Sequence, residues 1–535
     1  MLRRTSSPAL PILRLAIAAT CVAAGAASAQ TITRGPFLQS ASPTAITVRW
    51  RTSVATGSRV DLGDAPGNYT LSVTDPVLTT EHEVRITGLQ PSHTYAYAVG
   101  QPAALMSQPD ATYRFTTAPP PGSSAPVRVW VIGDSGENTR AAQGVRDRFE
   151  SYAGSKPPGL WLMLGDNAYS SGTDSEYQDG CFNLFQLEMR KWPLFPTRGN
   201  HDALSSGTND DYLEFFTMPS LGECGGMPSG SESYYSYDWG NIHFICLDSE
   251  GSDRSLGGPM IMWLRQDLAA TNAAWIVCYW HHPPYTHGSH NSDDQGSNMW
   301  DMRTNVVPIL DSTGVDLVLS GHSHGYERSY LLNGHYGTSN TLTAAMKVGP
   351  GDGRVGGSGP YTKGHTKQFP FEGAVYTVAG NAANSSKVSS MPCMVSSIKT
   401  LGSMVLDFNG DRLDARLLDD TGAVRDSFAI VKGGGGQVGV APLKTTLALA
   451  LPRPSPSSGE VWLDFTLAAA GEVTLDVFDT TGRRVARLAD GVMEAGPHHV
   501  VWRGAERRQP APPGAYWAML TAGGQSRVRR IVLAH

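Results

Sequence analysis

The 535-residue chain is sparing with charge and with cysteine. Charged residues make up 17% of it, and there are six cysteines. Beyond the N-terminal segment, no apolar run reaches the ~20 residues a membrane-spanning helix needs. The formal charge of -6 and a pI of about 6.2 exclude a general nucleic-acid binder. No repeat of fixed period is evident. What the chain has in quantity is glycine, at 59, and proline, at 35. That balance suits β-rich domains with many turns rather than long solvated helices. The length exceeds one ordinary domain, so roughly two to four are expected.

The first residues read as an export signal. Arg3, Arg4 and Arg14 form a basic start, Leu15 to Ala27 a short apolar stretch, and Ala27-Ser28-Ala29 a small-residue cleavage site. The pattern predicts a signal peptide over 1–29, a mature chain starting at Gln30, and a product secreted or held at a cell surface, of bacterial type. Asn68-Tyr69-Thr70 and Asn384-Ser385-Ser386 fit glycosylation acceptors and are read as coincidence in such a product. Five cysteines follow Gln30. Cys246 and Cys278 lie in apolar, strand-like runs and are expected as buried thiols. Cys181 and Cys224 flank a loop-rich stretch and, in an oxidising compartment, are expected to form a disulfide. Cys393 is then left over.

Periodicity divides the rest. Residues 30–118 read as all-β, because Ala45 to Arg51 and Glu83 to Thr87 alternate apolar and polar positions. Pro119, Pro120, Pro121 and Gly122 mark a linker. Residues 119–433 alternate short apolar strands with helical spacing, the pattern of a central α/β layer fold. The strands are expected at 127–132, 160–164, 242–247, 275–280 and 315–319, with a helix over 139–152. A Gly-rich linker follows at 434–442. Residues 443–535 return to alternating β pattern, as in Val461 to Phe465, Val473 to Phe478 and Ala515 to Leu520. The fold class is therefore multidomain: an N-terminal β-sandwich, a central α/β domain and a C-terminal β-sandwich.

The chemistry is concentrated in five segments of the middle domain. They are Gly133-Asp134-Ser135-Gly136, Gly165-Asp166-Asn167-Ala168-Tyr169, Gly199-Asn200-His201-Asp202, His281-His282-Pro283-Pro284-Tyr285 and Gly321-His322-Ser323-His324. Most follow a predicted strand directly, where loops of such sheets carry ligands. A bridging carboxylate can hold two cations ~3.5–4 Å apart, the separation used for displacement at phosphorus. Asp166 is the best bridge. Asp134, Tyr169 and His324 could complete one cation's ligands; Asn200, His281 and His322 could complete the other's. The phenol is the informative member. Free tyrosine has a pKa near ~10, so a phenolate ligand calls for a strongly acidic, trivalent ion. With Asp134, Asp166 and Tyr169 negative, one trivalent and one divalent ion leave about +2 before any hydroxide is counted, a centre that attracts a phosphate ester.

As an ordered set, these motifs resemble the purple acid phosphatases of the calcineurin-like metallophosphoesterase superfamily. The resemblance covers the middle domain. The preceding domain, through Leu89 to Tyr95, Tyr97 and Val99, resembles the fibronectin type III-like N-terminal domain of the plant-type members. It implies a four-layer β-sandwich flanked by helices. It also implies that Asp134, Asp166, Tyr169 and His324 bind iron(III), and that Asp166, Asn200, His281 and His322 bind a divalent iron, zinc or manganese. His201 and His290 would be the catalytic pair that orients the phosphoryl oxygens and protonates the leaving group. Most metallophosphoesterases carry Asp-x-His in the first motif; here that position is Gly136 and Tyr169 is available instead, which points to the purple subgroup. Where the plant pattern has two adjacent histidines, this chain has His290-Asn291, and Asn291 cannot supply a proton. His282 and His287 match no role and read as loop or supporting residues, as do Tyr285 and the Glu327-Arg328 pair.

The expected activity is a secreted acid phosphatase that hydrolyses phosphate monoesters by attack of a hydroxide held on the metals. The alternatives are a phosphodiesterase or nucleotide hydrolase on the same centre, and a non-catalytic cell-surface binding protein. The partner is a small phosphate ester, with no nucleic acid and no transmembrane segment. Residues 443–535 resemble hook-cap type immunoglobulin-like modules and type IX sorting domains, which implies contact with secretion machinery or a cell surface.

Overall fold

The computed structural model describes residues 30–204, 211–349, 351–364 and 371–433, and most of 447–534. The predicted signal peptide and the linker at 434–442 fall outside the described residues. The chain divides into two compact units, residues 1–434 and 435–535.

The first unit begins with a six-stranded antiparallel sheet between Ile32 and Thr116. Its long strands are Ala45–Gly63 and Leu71–Thr87, which contain both of the alternating runs seen in the sequence. Trp50, Tyr97 and Phe115 fill its core, and the Tyr95 hydroxyl accepts a hydrogen bond from the Gln90 N–H at 3.0 Å, closing the turn that leads into the next strand.

Two seven-stranded sheets then form the middle domain. One runs through Tyr235–Trp239, Ile242–Cys246, Trp275–Tyr279, Leu317–Ser320, Ala374–Ala379, Tyr326–Leu332 and Met394–Ile398. The other runs through Tyr361–Lys363, Val424–Lys432, Arg412–Asp419, Gly402–Asn409, Val127–Ile132, Leu160–Met163 and Leu194–Pro196. Each predicted strand is present; Val127–Ile132 keeps its expected bounds, and the other four shift at one or both ends by one or two residues. The strands that carry the motifs are parallel neighbours: Val127–Ile132 beside Leu160–Met163 beside Leu194–Pro196, and Trp275–Tyr279 beside Leu317–Ser320. Parallel strands are buried on both faces, which is why they read as unbroken apolar runs. Trp130 stacks on Trp161 at 4.9 Å and on Phe149 of the helix Arg140–Ala153 at 4.3 Å. That helix starts where the sequence places it, with the Thr139 hydroxyl accepting the Ala142 N–H.

The two sheets are tied by buried charge. Arg328, from the first, meets Asp426, from the second, through two contacts of 2.6 and 3.1 Å, and both side chains are fully buried. In the first sheet His243 lies between Asp238 at 2.7 Å and Asp267 at 2.9 Å. Burial pulls its pKa down, but the two carboxylates outweigh it and hold it at about 9. A folded-state value above the unfolded ~6.5 means the stabilisation is full below that pH and is lost as pH rises through about 9. The melting temperature should therefore fall by several degrees between pH 7 and pH 10. His243→Gln should flatten that slope, and an equally steep slope in the variant would remove His243 from the account.

One sequence expectation is corrected here. Cys181 and Cys224 are not paired; all five cysteines after Gln30 are free and buried. Cys181 packs in the apolar core with Phe182, and burial raises its thiol pKa above the ordinary range. Oxidising surroundings and loop spacing favoured a bridge, but a bridge also requires the two side chains to meet.

The second unit has a three-stranded, a four-stranded and a small two-stranded antiparallel sheet among its described residues. Val461, Leu463, Phe465, Val473, Leu475, Val477, Trp502 and Leu520 form its core. No helix among the described residues is long and apolar enough to cross a membrane.

Candidate metal centre

The five motif segments leave their strands at one edge of the paired sheets and converge. Three of their non-glycine residues adopt left-handed backbone: Asp134 at φ 53°, Asp166 at φ 51° and His322 at φ 65°. Aspartate tolerates that region; histidine visits it less often, and each such residue carries strain that the surroundings must hold. The strain turns the three side chains inward from the ends of their strands.

All seven predicted ligands come together, in two groups that share Asp166. The Tyr169 hydroxyl donates to Asp134 Oδ1 at 3.2 Å and to Asp166 Oδ2 at 3.0 Å, and lies 3.5 Å from His324 Nε2. His324 Nε2 is 3.5 Å from Asp134 Oδ1. In the second group Asn200 Oδ1 is 3.0 Å from both His281 Nε2 and His322 Nδ1, which are 3.2 Å from each other. Asp166 turns Oδ2 to the first group and Oδ1 to the second, 3.4 Å from His281 Nε2. Nδ1–H of His281 donates to the Leu164 carbonyl at 2.8 Å, which fixes the ring and leaves Nε2 for the centre. The backbone N–H of His322 donates to Asp134 Oδ2 at 2.8 Å, and that of His201 to Asp166 Oδ1 at 3.0 Å.

The electrostatics are those of a site that favours cations. Burial would raise the Asp166 pKa, but His281 and the His201 N–H hold it well below the usual carboxylate range. Burial and the charges of Asp134 and Asp166 push the Tyr169 phenol far above its ordinary value. Burial lowers His281 too, yet Asp166 outweighs it and keeps this imidazole protonated up to about 10. Two of the donor atoms are therefore held together by protons, on Tyr169 and His281. A cation in either group takes the place of such a proton, as metal binding generally releases protons from its ligands. The donor set of carboxylates, imidazoles, an amide oxygen and a phenol fits two hard or borderline ions.

Gly136, where the wider superfamily carries histidine, has no room for a side chain. A Cβ there would overlap the backbone of Asn167 and Ala168. The Gly136 N–H donates to the Asp166 carbonyl at 3.1 Å, and its own carbonyl accepts the Tyr169 N–H at 3.0 Å. The loop that delivers the phenol thus lies directly on the glycine.

Of the predicted catalytic pair, His201 donates Nδ1–H to the Ser170 carbonyl at 2.6 Å, with its ring 4.6 Å from that of Tyr169. His290 stacks on His322 at 3.8 Å. Asn291 is turned away, its side-chain oxygen accepting the Asp293 N–H at 3.0 Å. His282 sits 4.4 Å from the His322 ring, but its Nδ1 meets Ser249 Oγ at 2.9 Å and its Nε2 points toward Glu250 at 3.7 Å. Its ring nitrogen nevertheless lies close enough to those of His281 and His322 for the three to form a group that could hold a metal ion, a role the sequence did not give it. Glu327 holds the loop that follows His281, accepting from the Thr286 hydroxyl and the His287 N–H.

Sequence reasoning missed the residue that braces two of these loops. Asp202 is fully buried and accepts four hydrogen bonds. They come from the Asn167 N–H at 2.9 Å, Asn167 Nδ2 at 2.9 Å, the Gly199 N–H at 2.7 Å and the Tyr177 hydroxyl at 2.6 Å. Its presence in the third motif was a signal; nothing in the sequence marked Tyr177.

Comparison with known proteins agrees with this geometry. Residues 127–326 match the calcineurin-like phosphoesterase family, and residues 35–117 match the purple acid phosphatase N-terminal domain. The chain therefore carries a calcineurin-like metallophosphoesterase domain preceded by a purple acid phosphatase N-terminal domain. It is similar to purple acid phosphatase 15 of Arabidopsis thaliana, 31% identical over 279 residues, 46% of this chain and 49% of that protein. Purple acid phosphatase 23 of the same plant is 28% identical over 294 residues, 49% of this chain and 60% of that protein. The uncharacterized protein Rv2577 of Mycobacterium tuberculosis is 28% identical over 337 residues, 55% of this chain and 61% of that one. The chain thus spans about half to three fifths of these relatives. In fold it is similar to purple acid phosphatase PPD1 from yellow lupin seeds, with a TM-score of 0.58 and 17% identity over 75% of each chain. The structure of PhoD gives a TM-score of 0.53 and 14% identity, covering 75% of this chain and 90% of that one.

Proposed function

We propose that the chain is a binuclear metal-dependent phosphoester hydrolase, and specifically a secreted acid phosphatase acting on phosphate monoesters. The observation that supports this most is Asp166, whose two carboxylate oxygens face two separate groups of donor atoms. Asp134, Asp166, Tyr169 and His324 would hold iron(III); Asp166, Asn200, His281 and His322 would hold a divalent iron, zinc or manganese. When bound, such a pair supplies Lewis acidity toward the phosphoryl oxygens and activates a water for in-line attack.

The remaining steps belong to the chain. His201, its Nδ1 committed to Ser170, presents Nε2 to a phosphoryl oxygen or to the departing alcohol. His290 stacks over His322, at the edge of the donor groups. With Asn291 capping its own turn, the residue that follows His290 in the chain takes no part in proton transfer. Burial and the neighbouring His324 lower the His290 pKa, which favours a neutral ring at the edge of the centre. For residues 435–535, whose sheets stand as a separate unit, we propose a role in export or surface attachment.

A nitrophenyl monoester and its diester counterpart test the substrate class. The monoester should be cleaved with a kcat/KM at least about tenfold higher, a difference of ~1.4 kcal/mol in transition-state binding. A diester preference would transfer the centre to phosphodiester or nucleotide hydrolysis. Metal binding without cleavage of either would favour a binding protein.

A further inference from the structure

We propose that the N-terminal β domain is a working part of the metal centre, and that Arg34 and Arg51 are positioning residues for it. The inference rests on the proposed metal-binding reading. Both arginines lie outside the metallophosphoesterase domain, on the strands Ile32–Gln39 and Ala45–Gly63. Both reach across to Asp174, five residues beyond Tyr169. Arg51 Nη1 donates to Asp174 Oδ1 and Oδ2 at 3.0 and 2.7 Å. Arg34 donates to Asp174 Oδ1 and, through Nε, to Gln178 Oε1 at 2.8 Å. Its guanidinium packs against both Phe182 and Phe215, 4.3 Å from each ring centre, with the two rings nearly perpendicular to each other. The Arg34 side chain is only 1% exposed, so it is a fixed post rather than a surface charge.

The segment these arginines grip touches the centre at three places. At its start, Tyr169 is one of the donors. Next, the Ser170 carbonyl holds His201 Nδ1–H. At the far end of the helix Asp174–Tyr177, the Tyr177 hydroxyl donates to Asp202, which in turn holds the Asn167 and Gly199 backbones. Between these points Glu176 stiffens the loop by accepting from the N–H groups of Ser170, Ser171 and Thr173 at 2.8, 3.1 and 2.9 Å. A shift at Asp174 is therefore passed to a phenol donor, to a proton-transfer histidine and to the brace under Asn200. A surface ion pair would be worth little, but one anchored on a buried, ring-stacked arginine fixes a geometry.

The test uses the metal-loaded full chain with Asp174→Asn, which keeps the side-chain shape at a half-exposed position, and Arg51→Ala as a second variant. Tyr97→Phe is the control. It removes a different contact between the two domains, the Tyr97 hydroxyl to the Arg190 carbonyl at 3.1 Å. Loss of protein-bound metal to excess chelator is followed by elemental analysis, alongside kcat, KM and the melting temperature. We expect both test variants to lose metal at least about tenfold faster and to fall in kcat more than they rise in KM, at near-native melting temperature, as for partners that orient metal ligands. Tyr97→Phe should match the wild type. Unchanged metal release in both variants, or an equal effect in Tyr97→Phe, would overturn the proposal. A wild type that holds no metal at all would instead overturn the reading of the centre.

Discussion

Asp166→Asn should empty both halves of the centre at once. The substitution keeps shape and left-handed backbone, since asparagine tolerates that region as aspartate does. It removes the one charge shared by both donor groups and replaces an acceptor oxygen with an amide that donates. Elemental analysis should find both metals depleted, and kcat/KM should fall by about 10⁴-fold or more, equivalent to ~5 kcal/mol of transition-state stabilisation. His281 provides the internal check. Its pKa of about 10 depends chiefly, against burial, on the Asp166 charge, so the variant's imidazole should titrate far lower, readable by NMR in the metal-free protein. If one metal stays at full occupancy, Asp166 serves a single site and the bridging assignment is wrong.

Tyr169→Phe should separate colour from catalysis. The phenol of the metal-free protein is held protonated by burial and by two carboxylates, so only a strongly acidic ion brings it to the phenolate. Iron(III) in that position gives a visible charge-transfer band; the wild type should be pink or purple and the variant colourless. The variant should also release about one proton fewer on metal uptake, measurable in unbuffered solution. Asp134, Asp166 and His324 remain, so hydrolysis should persist at a reduced rate. A colourless wild type that is fully loaded and active would remove iron(III) and leave a divalent pair.

How much of this was legible in the sequence follows from the kind of contact involved. Asp134, Asp166, Asn200, His281, His322 and His324 could be read because ligand chemistry restricts residue type, and because short buried strands end in view as apolar runs. Their grouping into two sets could be suggested from ligand chemistry and was supported by resemblance, but spacing along the chain does not say which loop ends face each other. The supports were not legible. Tyr177 is an ordinary aromatic until Asp202 is seen beneath its hydroxyl, and Arg34 is an ordinary strand arginine until Asp174 arrives from 140 residues away. The expected Cys181–Cys224 bridge failed for the same reason. Spacing and compartment make a disulfide reasonable, but the decision lies in where two buried side chains come to rest.

Gly136 bears on how the branches of this superfamily could interconvert. A histidine introduced there meets the Asn167–Ala168 backbone before it can reach a metal, and the same backbone carries Tyr169 into place. A side chain at 136 and the loop that carries Tyr169 are therefore mutually exclusive occupants of one space. A chain that gained a side chain at 136 would first have to rebuild the 167–169 loop, and with it the placement of Tyr169 beside Asp134 and Asp166.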